Sequence, residues 1–404
     1  MRRLLLCCAW CLCVGAQAAP WTFDAPIGVT GQATPGVFAH LASAGRKNIA
    51  VSAGWVAVAW EDNRDGVPRC YVTLKAPGQQ RFGDAVRISM QEEAAEPALI
   101  ALDDGRFVVA WEEAGRVWAR SVSAESMGVP LALHAAPAAQ VSLARAAQGV
   151  YAVWSAQEQY QRLWQIQLAQ LKVTAQGELR ALRSAVVDTT AEGDQSYPSV
   201  AALGPQRVMV AWEDRRAGHT RLFSAVSRDG GKHFAASRQL NESIWRGEAL
   251  KFGRGTGVMR VALAAHGRDG IAAVWADKRD FQSGYDVYGG LARGVQLRFG
   301  PNEKVQDAFG NNITQWHPAL AANRDGRLAA VWDDDRDGTP DVWLSWRNAE
   351  GWADNVAVPG ASGAGVQSDP SLALDEAGNL HLTWVEKETL NSPSRICYVF
   401  GRAQ

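Results

Sequence analysis

Apolar and polar positions alternate in blocks along most of this chain. Seven short apolar runs each close on a tryptophan: GWVAVAW at Trp60, RFVVAW at Trp111, GVYAVW at Trp154, RVMVAW at Trp212, GIAAVW at Trp275, RLAAVW at Trp332 and NLHLTW at Trp384. Their spacing is about 50 residues, the length of one four-stranded blade of a β-propeller. The runs are nearly continuous in apolar residues, as strands are when both faces are covered.

Each unit reads the same way. An inner strand comes first, as in EPALIAL (96–102), YPSVAAL (197–203), HPALAAN (317–323) and DPSLALD (369–375). A Gly- and Asp-rich hairpin turn follows, then the strand that ends in tryptophan. A polar loop leads to a third strand, such as CYVTLKA (70–76), DVYGGLA (286–292) or DVWLSWR (341–347). An outer strand closes the unit: FGDAVRIS (82–89), FAASRQLN (234–241), FGPNEKVQ (299–306) or WADNVAVP (352–359).

One blade cannot bury both of its faces. A ring of blades does so and removes sheet edges, with the repeated tryptophan filling the wedge between neighbours. The last unit stops after its third strand, RICYVFG (395–401), and lacks an outer strand. WTFDAPIGVT (21–30) has the pattern of that missing strand. The expectation is an all-β fold, a single seven-bladed propeller whose N-terminal strand completes the last blade. Six blades is the alternative, if the divergent third unit (139–188) is partly an insertion.

The N-terminus changes the picture of where the protein works. Arg2 and Arg3 precede an apolar stretch from Leu4 to Gly15, and Ala16-Gln17-Ala18 supplies small residues for cleavage. This is the plan of a secretory signal peptide over residues 1–18, followed by the propeller domain over 19–404. An uncleaved anchor and a lipoprotein signal (Cys7, Cys8, Cys11 and Cys13 lie here) are the alternatives. Export to the periplasm or the cell exterior follows. No other stretch is long and apolar enough to span a bilayer as a helix. The net charge of -1, with both signs interspersed, argues against nucleic acid as a partner.

Cys70 and Cys397 fall at equivalent positions on the third strands of blades 1 and 7. Blades fan outward, which sets such positions beyond the reach of a disulfide, and two buried thiols are expected.

Ser227-Arg228-Asp229-Gly230-Gly231-Lys232-His233-Phe234 fits S-x-D-x-G-x-x-[WF]. It resembles the Asp-box, the bacterial neuraminidase repeat of sialidase-like propellers, at the place between third and outer strands where that family carries it. The resemblance implies a structural turn capped by Asp229, with Ser227, Gly231 and Phe234 completing the motif.

A second motif, W-x-D-x-R, recurs as Asp62 and Arg64, Asp214 and Arg216, Asp277 and Arg279, and Asp334 and Arg336. Recurrence in four blades favours an Asp–Arg pair that holds each loop over a ligand site. Asp333-Asp334-Asp335 with Asp337 is dense enough in oxygens to raise calcium as a cofactor, but it lacks a calcium-loop spacing. No metal site or other cofactor is expected, since the histidines show no paired ligand spacing.

Residues just before the inner strands should ring the central mouth: Glu96, Gln140, Tyr197, Arg260, His317 and Asp369. Polar and ionisable groups converging on one axis form a candidate site, with a solvated channel mouth as the plain alternative. The loop 241–258 adds Trp245, Arg246, Glu248, Lys251 and Arg254 beside Arg260, a set able to hold a carboxylate or sugar acid. The sialidase resemblance implies three substrate-binding arginines, a Tyr–Glu nucleophile pair and an Asp acid/base, here Arg246, Arg254 or Arg260 with Tyr197, Glu248 and Asp369. The R-I-P signature of that family is absent, and the nearest stretch is VPRC (67–70). The leading expectation is therefore a non-catalytic propeller that binds a protein or carbohydrate on its loop face. The alternatives are a sialidase-type exo-glycoside hydrolase and a purely structural envelope component.

Overall fold

A computed structural model describes residues 19–41, 45–135, 137–158, 162–190, 192–242, 257–279, 284–310 and 313–404. They form seven antiparallel sheets, the blades of a single β-propeller. The expected signal peptide and Arg246, Glu248 and Arg254 lie outside the described residues.

The third unit is a full blade. Its strands Ala138–Arg145, Val150–Ala156, Gln165–Val173 and Leu179–Val186 pair in order, which settles seven blades over six. In the last blade, Trp21–Phe23 pairs with Ser394–Ala403, Trp21 opposite Ala403. Ile27–Gly28 pairs with the same strand. The ring is thus closed by the N-terminal segment, whose Trp21 Nε1 donates to the Gly378 carbonyl at 2.9 Å.

The outer strands are shorter than the sequence suggests. In blades 1, 4 and 6 only Val86–Arg87, Arg238–Gln239 and Val356–Ala357 pair. These segments carry Gly, Asp and Pro close by and sit at the exposed rim, where a short edge strand offers little template for aggregation.

The core is seven separate clusters, one between each pair of neighbouring blades. Each is built around one repeated tryptophan. Trp332, for instance, packs with Ala264, Val274 and Val287 of blade 5. All seven tryptophans are at most 1% exposed.

The W-x-D-x-R motif explains how each wedge is fixed. Asp62, Asp214, Asp277 and Asp334 accept from the indole Nε1 of the tryptophan two residues earlier, at 2.8 to 3.1 Å. The same carboxylates pair with Arg64, Arg216, Arg279 and Arg336. Each guanidinium lies over an aromatic ring of the third strand: Tyr71, Phe223, Tyr288 or Trp343. The motif is therefore scaffold. Blade 3 has Ala156 at the aspartate position, and its Trp154 Nε1 has no partner among the described residues. Cys70 and Cys397 are both buried and free.

Candidate functional site: the axial mouth

A bulge in the inner strands builds the site. The pairing register skips at Glu96, Gln140, Tyr197, Arg260, His317 and Asp369, in blades 2 to 7 respectively. All six residues have φ between +48° and +64°. Non-glycine residues seldom adopt this left-handed conformation, which costs about 1–3 kcal/mol when imposed by its surroundings. In four blades the next residue is proline, which disfavours the helical region before it and has no N–H to lose from the ladder. An x-Pro pair inside an apolar strand was a legible signal for this bulge.

In five of the six blades the bulge turns the residue's N–H out of the ladder, and a group on the preceding blade receives it. Glu96 N donates to Glu61 at 2.7 Å, Gln140 N to Glu112 at 2.6 Å, and Tyr197 N to the Gln140 side chain at 2.8 Å. Arg260 N donates to Glu213 at 3.0 Å and Asp369 N to Asp333 at 3.1 Å. Glu61, Glu112, Glu213 and Asp333 each directly follow a repeated tryptophan. They form a second ring of acids beneath the first, one that the sequence analysis missed. The recurrent acid after the tryptophan was its signal.

Blade 1 departs from this pattern. Its inner strand is split into Ala39–His40 and Ile49–Ser52. Just before the second of these, Gly45 and Arg46 reach into the axis. Gly45 lies so close to the Val261 carbonyl of blade 5 that a Cβ there would sit 2.0 Å from the oxygen. Arg46 is 4% exposed. It donates to the Val141 carbonyl of blade 3 at 2.8 Å and pairs with Glu112 at 2.8 Å and with Glu96. Arg46 is the seventh mouth residue. The sequence reading did not single it out.

Two charge clusters result. Around Arg46 stand Glu96, Glu112 and Glu61. Burial lowers the Arg46 pKa from its ordinary value, against the attraction of Glu112. Burial also raises the pKa of the Glu61 carboxyl. Across the mouth, His317 Nδ1 lies 2.7 Å from Asp333 and 3.4 Å from Asp369. Burial opposes the charge on His317, but the two carboxylates overcome it and bring the imidazole up to about 9. Between the clusters the Arg260 guanidinium stacks on Tyr197, 4.3 Å from the ring centre. Glu213 beneath it is pushed up by burial.

The structure therefore brings together Glu96, Tyr197, Arg260, His317 and Asp369 as expected. Within the acidic run, two carboxylates have partners from the protein itself. Asp333 accepts from His317, and Asp334 from Trp332 and Arg336. The Ser227–Phe234 turn lies at the end of its blade remote from the mouth, since Ser227 pairs with Val208 while Arg221 pairs with Asp214. There Asp229 accepts from the backbone N–H groups of Lys232 and His233 and from the Ser227 hydroxyl. Gly231 N donates to the Ser227 hydroxyl, and Phe234 packs on the core between blades 3 and 4.

No protein-family model and no curated protein matches this chain. Among solved structures it is similar to the α-L-arabinanase of Penicillium chrysogenum complexed with arabinobiose. That pair shares 10% identity over 93% of this chain and 98% of the other, with a TM-score of 0.48. It is also similar to the GH93 α-L-arabinofuranosidase of Fusarium graminearum (10% identity, 95% and 98% covered, TM-score 0.46). A third is a puromycin-hydrolyzing peptidase of Mycobacterium tuberculosis (16% identity, 88% of this chain and 51% of that one, TM-score 0.48). At such identities the likeness is one of fold.

The expectation of a non-catalytic binding module is corrected here. These neighbours are hydrolases, arabinanases and arabinofuranosidases among them. The sequence argument for a non-catalytic role rested on a missing family signature, and such a signature says nothing about chemistry built on other residues.

Proposed function

We propose that this chain is an exported glycoside hydrolase whose active site is the axial mouth. The observation that carries this reading is the convergence of carboxyl groups in two different environments on one opening. Glycoside hydrolysis needs one carboxyl group that can give a proton and another that is ionised. Glu61 and Glu213, raised by burial, suit the first role. Glu96 and Asp369 reach solvent and stand against the cations Arg46 and His317, which suits them to the second. Arg260 and Tyr197, stacked beside them, are placed to orient a sugar through hydrogen bonds. Export rests on the charged, apolar and small-residue succession of residues 1–18.

The test is turnover of aryl glycosides, including an α-L-arabinofuranoside, a β-xyloside and an α-sialoside, by the purified chain. At least one is expected to be cleaved, and Asp369→Asn or Glu96→Gln to lower kcat by about a hundredfold or more. No cleavage of any glycoside, or cleavage indifferent to both substitutions, overturns the reading.

A further inference from the structure

Beside the mouth, between blades 5 and 6, lies an aromatic surface that neither the scaffold nor the acid–base groups use. Trp316 is 40% exposed. It is the one tryptophan among the described residues that is exposed, whereas the seven repeated ones are at most 1% exposed. It immediately precedes the mouth residue His317 and pairs with Asp333, which fixes it at the mouth end of blade 6. Tyr285 of blade 5 sits next to it, ring centres 5.4 Å apart and tilted by 45°. Tyr285 is at the same end, since its neighbour Asp286 pairs with Asp277. Its carbonyl accepts from Gln315 N at 2.8 Å, which ties the two loops together. The Tyr285 hydroxyl lies where a Cβ on Gly257 would come within 2.7 Å, so the glycine leaves room for the ring.

An exposed indole in a packed propeller costs hydrophobic free energy that a buried position would recover. Here a backbone tie and a tilted neighbouring ring hold it at the rim. Polar groups stand beside the two rings, with the His317 imidazole 6.5 Å from the indole and the Lys278 ammonium 5.7 Å from the Tyr285 ring. This pairing of aromatic rings with polar neighbours offers both apolar and polar contact. It matches the size and amphipathic character of a sugar ring, whose C–H face packs on an aromatic while its edge hydroxyls meet polar groups.

We propose that Trp316, supported by Tyr285, forms a sugar-stacking subsite flanking the mouth. The natural substrate is then an oligosaccharide or polysaccharide that spans mouth and rim rather than a simple monoglycoside. This rests on the mouth being the hydrolytic site, but the subsite can be tested apart from it. Trp316 is a positioning residue for a sugar unit next to the one being cleaved.

The experiment is equilibrium binding of arabino-, xylo- and sialyl-oligosaccharides and their monosaccharides to wild type, Trp316→Ala and Trp316→Phe, alongside turnover of the same oligosaccharides. Thermal melting establishes that each variant is folded. At least one oligosaccharide is expected to bind. Its affinity relative to the monosaccharide should fall about three- to tenfold in Trp316→Ala and be largely restored in Trp316→Phe. Oligosaccharide binding that Trp316→Ala leaves intact, or no binding of any probe, overturns the subsite. Binding through Trp316 without turnover keeps the subsite and overturns the hydrolase reading. Turnover that ignores Trp316 does the reverse.

Discussion

His317 Nδ1 lies 2.7 Å from the Asp333 carboxylate, and that carboxylate also receives the amide N–H of Asp369 from the next blade. One buried acid thus fixes a histidine on its own blade and a mouth residue on its neighbour. Scaffold and candidate chemistry share the same atoms, and this makes several outcomes predictable.

The His317–Asp333 pair should stabilise the fold most at neutral and mildly acidic pH. The folded-state pKa of His317 is raised to about 9, against an unfolded value of about 6.5. A raised pKa contributes stability that is complete below the unfolded value and lost as pH rises through the folded one. The melting temperature of wild type should exceed that of His317→Gln at pH 6.5. The gap should shrink by pH 10.

Arg46→Ala should destabilise the protein by about 1–3 kcal/mol, because it leaves the part-exposed Glu96 and Glu112 and the buried Val141 carbonyl without their donor. Arg46→Met, which fills the same space, should recover little if the charges dominate. Urea unfolding midpoints decide this, and a loss below about 1 kcal/mol would show the axial arginine to be dispensable.

Asp334→Ala should cost about 3 kcal/mol. It strips a fully buried carboxylate from both Trp332 Nε1 and Arg336. The same change at any of the four W-x-D-x-R sites should behave alike. Destabilisation at one site alone would mean that the shared motif is not the shared cause.

Removing residues 19–28 should abolish cooperative folding rather than trim a tail. That segment supplies the outer strands of blade 7, and Trp21 meets Trp346 edge-on, with ring centres 6.3 Å apart. Its loss leaves Ser394–Ala403 as a long unpaired edge. Light scattering and denaturation of the truncated chain report the result.

Much of this was written locally. The Trp-terminated strands, the missing last outer strand and the residues heading the inner strands are periodic, and periodicity survives in one dimension. Glu96, Tyr197, Arg260, His317 and Asp369 were found because each opens a repeat at the same offset. Arg46 was not among them. The acids Glu61, Glu112 and Glu213 were passed over because they sit next to the tryptophan that drew attention to packing, and Asp333 was read only as part of an acidic run.

The sequence by itself determined the architecture: seven units, each apolar on both faces, have no stable arrangement but a closed ring, and the only unpaired strand pattern was at the N-terminus. Only the tertiary structure decided what the axis holds. Backbone bulges set which way each opening residue faces, and the preceding blade supplies its hydrogen-bond partner. The pairing of Arg46 with Glu96 on the next blade, and of His317 with Asp333 on its own, then follows from distances at the axis. Such contacts join residues far apart in the chain, 66 positions for Arg46 and Glu112 and 95 for Arg46 and Val141, and local patterning does not encode them.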